Sequence, residues 1–207
     1  MDELRKVGLY PAAPEPIRID RFVEKRFGVE PTYEDLPEGV LGFTQFGKDG
    51  VVAIVISASL DAKTGKVAER RVRTTFAHEA GHGLLHAHLF ALDEKPLHLF
   101  DTDSRSDHQI LCRDVQGEEW KGRAYDGRWW EFQANRAMGS LLCPRGLVQE
   151  AVKPFLVPSG SLGGQMLDGN RKEEAALTLA EIFDVNPVVV RIRLTDLYPP
   201  ETGQLRL

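Results

Sequence analysis

Two imidazoles stand four positions apart in this chain with a carboxylate beside the first of them, in the run His78-Glu79-Ala80-Gly81-His82. On a helix, residues four apart project from one face, so both rings can reach a single ion. Zinc suits such a pair. Neutral imidazole binds it well, it has no redox chemistry to control, and a catalytic zinc uses three protein ligands and keeps one position for water. Glu79, next to the first ring, has the reach to take a proton from that water. Two histidines in a helix are more often packed or solvated groups, but the full pattern inside a helix favours the metal.

A third ligand is then required, and three residues compete for the place. His86 continues the four-residue series, yet at ~1.5 Å rise per residue it lies ~12 Å along the axis from His78, too far to share an ion while the helix is intact. His78, His82 and His88 have the spacing of the metzincin peptidases, in which a glycine turns the chain back towards the metal. Leu85 occupies that glycine position here. A leucine resists positive φ, so the helix is expected to continue and carry His88 away. Glu131 lies on a separate helical stretch with Asn135 one turn later on the same face. An amide so placed can bond the outer nitrogen of a ligand histidine and fix its tautomer. Taken by itself, however, Glu131 reads more simply as a solvated residue near a helix start, where its charge suits the macrodipole.

These residues need elements to carry them. Lys66 to Phe90 contains no proline and few glycines, and its apolar residues Val72, Phe76, Ala77, Ala80, Leu84 and Leu85 surround the axis, as in a helix buried on several sides. Trp129 to Leu142 repeats helical spacing until Pro144 imposes a boundary. Val40 to Phe46 and Val51 to Ser57 are β-favouring runs joined by Gly47-Lys48-Asp49-Gly50, which predicts a hairpin. Ile17 to Phe27 predicts a helix closed by Gly28. Further helices are expected over Arg145 to Phe155, Lys172 to Phe183 and Pro187 to Leu197. The resulting division is an extended, flexible start over 1–16, a core over 17–157, a glycine- and serine-rich connection over 158–170, a helical pair over 171–198 packed on the core, and a tail over 199–207. The stretch from Ala91 to Arg128 is charged and turn-rich and contains one short apolar patch, Gln109 to Cys112.

Composition narrows the possible functions. The chain has 207 residues, 42% hydrophobic and 28% charged, with a formal net charge of −5, and so has the makings of a real core but no basic footprint for nucleic acid. Direct nucleic-acid binding is therefore not expected. Two cysteines, Cys112 and Cys143, belong to no Cys-x-x-Cys pair and are expected to be unreactive thiols. With no signal-peptide pattern at the start and no apolar run long enough to span a bilayer, a cytoplasmic protein without membrane attachment is expected.

The strings Arg73-Thr74-Thr75-Phe76-Ala77-His78-Glu79-Ala80-Gly81-His82 and Trp130-Glu131-Phe132-Gln133-Ala134-Asn135-Arg136-Ala137, closed by Leu141-Leu142-Cys143-Pro144, resemble the paired motifs of the ImmA/IrrE-type zinc metallopeptidases. The resemblance extends to the hairpin before the first motif and to Phe183-Asp184-Val185-Asn186-Pro187 leading to Arg191-Ile192-Arg193-Leu194. Two departures stand out: the long segment from Ala91 to Arg128, and Cys143 where a methionine is common. The resemblance implies an α+β, zincin-like core of the gluzincin type, with Zn²⁺ held by His78, His82 and Glu131, and with Glu79 as the catalytic base. It further implies site-specific cleavage of a helix-turn-helix repressor. Two alternatives compete: a general metallopeptidase using His88 as third ligand, and a metal-bearing binding protein that acts as an anti-repressor or beside a toxin without cutting. Tyr125, His108 and His86 are the candidates for a group that stabilises the oxyanion, and the sequence does not choose among them.

Overall fold

The computed structural model describes residues 2–62, 64–91, 109–113, 129–159 and 164–199. In chain order the elements are α1 (Asp2–Lys6), α2 (Ile19–Phe27), β1 (Thr32–Glu34), β2 (Val40–Gly47), β3 (Gly50–Ser57), α3 (Ala58–Asp61), α4 (Lys66–Ala91), β4 (Gln109–Arg113), α5 (Trp129–Leu142), α6 (Arg145–Ala151), β5 (Leu156–Ser159), β6 (Gly164–Leu167), α7 (Lys172–Ile182) and α8 (Pro187–Leu197). The fold is mixed α+β. Its residues form two compact units, Arg18–Met138 and the combination of Met1–Ile17 with Gly139–Leu207.

The unit over Arg18–Met138 is built on a four-stranded sheet of order β1-β3-β2-β4. The expected hairpin forms between β2 and β3, with Gly47 opposite Gly50 and Gly50 at φ +122°, a backbone setting that glycine adopts readily. β1 runs parallel to β3, and the apolar patch at 109–112 becomes β4, antiparallel to β2. Phe43 therefore lies between Val55 and Leu111, and Thr44 between Ile54 and Ile110. Val40, Phe43, Phe46, Ile54, Val55 and Ile56 are all buried. Each such side chain contributes roughly 1.5–3 kcal/mol by leaving water.

α4 packs across β2 and β3. It is buried without a break from Thr75 to Gly83, which explains why its apolar residues surround the axis instead of forming one stripe. Two of its glycines mark close approaches. A Cβ on Gly83 would lie 2.8 Å from Phe27 of α2 and 2.9 Å from Val51 of β3. One on Gly81 would lie 2.9 Å from the Ala134 carbonyl oxygen and 3.1 Å from the Ala137 Cβ. Gly81, Ala134 and Ala137 thus let α5 come against α4 at backbone distance. α2 ends at Gly28, φ +70°, whose N–H bonds the Glu24 carbonyl, as the sequence predicts.

The second unit holds a core of Leu4, Ile17, Leu142, Leu147, Val148, Leu179, Phe183, Val190 and Leu194, among others. α7 and α8 pack on each other, and Asn186 caps α8 by accepting the Val188 N–H, with Pro187 in the first turn. Three local elements of this unit differ from what the sequence predicts. Residues 1–16 are not simply extended, because Asp2–Lys6 forms α1 with Leu4 buried at its centre and Arg5 and Lys6 at its C-terminal end, where cations suit the dipole. The connection over 158–170 is not a plain loop either. β5 and β6 pair antiparallel, Leu156 opposite Leu167, and a 3-10 turn covers Gly169–Arg171. The helix expected over Arg145 to Phe155 stops at Ala151 and gives way to a 3-10 turn, Lys153–Phe155, that accommodates Pro154. No helix among the described residues is long and apolar enough to cross a membrane.

Candidate metal centre

His78 and His82 sit on consecutive turns of α4, and Glu131 lies in the first turn of α5. The Nε2 atoms of the two histidines are 3.0 Å apart. The Glu131 carboxylate straddles them, with Oε2 3.1 Å from His78 Nε2 and Oε1 3.6 Å from His82 Nε2. One ligand atom from each of the three residues lies within 4.8 Å of the others, so the group could hold a metal ion. A tetrahedral ion with bonds of ~2.0–2.1 Å has ligand-to-ligand edges of about 3.3–3.4 Å. The two Nε2 atoms, 3.0 Å apart, and the 3.1 Å from His78 to the nearer carboxylate oxygen lie a few tenths of an ångström below that value, and His82 is 3.6 Å from the other oxygen. The donor set, two imidazoles and a carboxylate, fits zinc and leaves a coordination position over.

Burial favours the neutral form of His82, the form that binds a cation. His78 is 5% exposed and His82 0%. Burial, and then the neighbouring His78 and His86, hold His82 well below the usual imidazole range. His86 is also lowered, chiefly by burial, against an opposing hydrogen bond to Gln133. A neutral ring presents one bare nitrogen and one N–H. At each of these two histidines the nitrogen turned away from Glu131 has a partner. His78 Nδ1 lies 2.9 Å from Asn135 Oδ1, the contact the α5 spacing suggested. His82 Nδ1 lies 2.9 Å from His86 Nδ1, and His86 Nε2 is 3.2 Å from Gln133 Oε1.

Glu79 is wholly buried, and the Thr44 hydroxyl lies 2.6 Å from its Oε2 and 3.0 Å from its backbone carbonyl. A hydroxyl has one proton, and the shorter contact, to the carboxyl oxygen, claims it. β2 thereby holds the carboxylate from the sheet side. α4 runs unbroken through Leu85 to Ala91, so the chain does not turn back, and His88 is exposed and outside the ligand group. His86 lies outside that group and contacts His82 within it. Tyr125 and His108 lie outside the described residues, as does the side chain of Cys112. Cys143 is fully buried in the second unit, which pushes its thiol up to about 12 and leaves it unreactive at neutral pH.

Three participants escaped the sequence reading: Thr44, Gln133 and the bonding role of His86. Thr44 left a faint signal, a hydroxyl inside an otherwise apolar strand run, and a buried hydroxyl needs a partner. His86 is four residues beyond His82 and so shares its face. Gln133 left none. No protein-family model matches the sequence, and no curated protein matches it significantly.

Proposed function

We propose that the chain is a zinc-dependent endopeptidase, with His78, His82 and Glu131 as metal ligands and Glu79 as general base. One observation supports this reading above the others: two helices bring potential ligand atoms of two imidazoles and a carboxylate within 4.8 Å of one another, and the first histidine is followed directly by a buried glutamate. Zinc held by these three residues would supply an acidified water and polarise a carbonyl oxygen. Glu79 accepts the proton of the attacking water and delivers it to the departing amine, so that the peptide bond is replaced by a carboxylate and an amine. Thr44 holds the orientation of the Glu79 side chain through Oε2. Asn135 accepts the Nδ1–H of His78 and so leaves Nε2 bare towards the metal position.

The substrate reading rests on the resemblance to ImmA/IrrE-type peptidases and names a helix-turn-helix repressor, cut at a specific site in the cytoplasm. In α8 the arginines that a DNA-reading helix would need are engaged within the protein. Arg191 is paired with Glu173, and the Arg193 Nε–H bonds the Cys143 carbonyl at 3.0 Å. This supports a role for that helix pair other than phosphate binding.

The test combines metal content with cleavage. Purified protein should hold about one zinc per chain. Glu131→Ala should lose it and His88→Ala should keep it. Incubated with a repressor encoded beside it, the wild type should give defined fragments, and Glu79→Gln should bind zinc but give none. A stable complex without fragments would replace the peptidase by a non-cleaving anti-repressor. Zinc retained in Glu131→Ala and lost in His88→Ala would restore the histidine ligand set.

A further inference from the structure

The hydrogen-bonded line that leaves His82 ends on an exposed side chain of the neighbouring helix, and it carries a directional constraint. His82 presents Nε2 to the ligand group, 3.0 Å from His78 Nε2, and Nδ1 to His86. A neutral imidazole carries one ring proton, so an Nε2 that donates its lone pair to a metal requires that proton on Nδ1. His82 then donates to His86 Nδ1, which must be bare, and the single proton of His86 moves to Nε2. That proton needs an acceptor, and Gln133 Oε1 stands there at 3.2 Å. Both rings are 0% exposed, so water is not at hand to take the place of the bond between them.

The opposite order is equally self-consistent as a set of bonds. The Gln133 amide nitrogen would donate to His86 Nε2, His86 would donate from Nδ1, and His82 would carry its proton on Nε2. In that order His82 has no lone pair to offer a metal. The two ends of the line are therefore coupled, and the Gln133 amide, with Oε1 turned to His86, matches the order that leaves His82 Nε2 bare. The ring of Trp129 lies edge to face on His86, with centroids 5.4 Å apart and planes at 83°, and this fixes the plane in which the choice is made.

We propose that Gln133 and His86 are positioning residues, which hold His82 in the Nδ1–H tautomer and so keep its Nε2 available to the metal. The inference rests on the metal-site reading above, and it differs from the contact that Asn135 makes with His78. There a single amide acts on the ligand directly. Here an amide acts through an intervening ring that is itself unable to reach the ion.

Gln133 is exposed, so its variants should fold. Gln133→Leu removes both acceptor and donor, whereas Gln133→Glu keeps the acceptor and removes the donor. The test measures zinc affinity at pH 8 by competition with a chromogenic chelator, together with ¹⁵N imidazole shifts of His82 in zinc-free and zinc-loaded protein. Gln133→Leu should weaken zinc about tenfold, the lower end of what outer hydrogen-bond partners contribute. Gln133→Glu should bind within about twofold of the wild type or more tightly, a rescue that a merely structural role for the side chain would not produce. His82 should report Nδ1–H in the wild type and in Gln133→Glu, and a mixture of tautomers in zinc-free Gln133→Leu. Unchanged affinity and an unchanged His82 tautomer in Gln133→Leu would overturn the proposal. If the wild type takes up no zinc, the metal-site reading fails, and the tautomer comparison in zinc-free protein still decides the role of Gln133.

Discussion

Gly81→Ala is the substitution that most directly tests how the site is assembled. An alanine Cβ at this position would stand 2.9 Å from the Ala134 carbonyl oxygen and 3.2 Å from the Ala134 Cα, both backbone atoms of α5 that no rotamer change can move. Ordinary contact begins near 3.4 Å, so the two helices must separate by roughly half an ångström at this crossing. Overpacking of this kind costs about 1–3 kcal/mol, while replacing a mid-helix glycine by alanine stabilises by roughly 0.5–1 kcal/mol. The net expectation is a loss of about 0–2.5 kcal/mol in urea unfolding of the metal-free protein. The effect on zinc should be larger than this stability loss suggests. A half-ångström shift of α5 carries Glu131 with it, and ligand distances tolerate only about ±0.2 Å. Gly139→Ala is the control, since a Cβ there meets nothing within 4 Å and only the helix-propensity gain should appear. Zinc affinity should fall at least about tenfold in Gly81→Ala and stay unchanged in Gly139→Ala. If both alanines stabilise alike and bind zinc alike, the close α4–α5 crossing does not assemble the site.

Two further outcomes follow from the buried polar groups. Thr44→Val keeps the shape of the side chain but removes the hydroxyl that bonds the buried Glu79 carboxylate, and should destabilise by about 1.5–3 kcal/mol in urea titration; a change below about 0.5 kcal/mol would contradict that bond. His82 and His86 both have folded pKa values below the imidazole value of the unfolded chain, so their contribution is complete above about pH 6.5 and is lost as pH falls from there towards the folded values. The metal-free protein should therefore show a falling Tm between about pH 7 and 5, and a flat Tm would show that those rings are not held neutral by burial.

What could be read from the sequence was what depends on neighbours along the chain. Two histidines four residues apart define their own relative geometry once the helix exists, and Lys66–Ala91 has the composition to form it. The hairpin turn was legible for the same reason, since Gly47-Lys48-Asp49-Gly50 is a complete local instruction. α1 was not, because a five-residue helix is unstable alone and depends on the burial of Leu4 by residues far along the chain. β5 and β6 are four residues each, too short to show alternation beside a glycine-rich turn. Glu131 is the telling case. Nothing local separates it from a solvated glutamate, and only the resemblance of its string to a known motif singled it out before the fold brought it to the histidines.

The division between the two helices also explains why α5 is richer in consequences than its single candidate ligand, Glu131, suggests. α4 supplies both imidazoles, the buried glutamate and the intervening ring of His86, all fixed by one helical repeat. α5 supplies the carboxylate, the acceptor at the Nδ1 of His78 and the acceptor at the end of the line through His86, from Glu131, Asn135 and Gln133. Between these three lies Ala134, 0% exposed and in contact distance of Gly81. A slide or rotation of α5 about that contact would displace all three acceptors together. The small residues at the crossing and the polar residues around it are therefore one device. Enlarging the former and removing the latter should weaken the same metal site by different routes, one through distance and the other through the placement of protons.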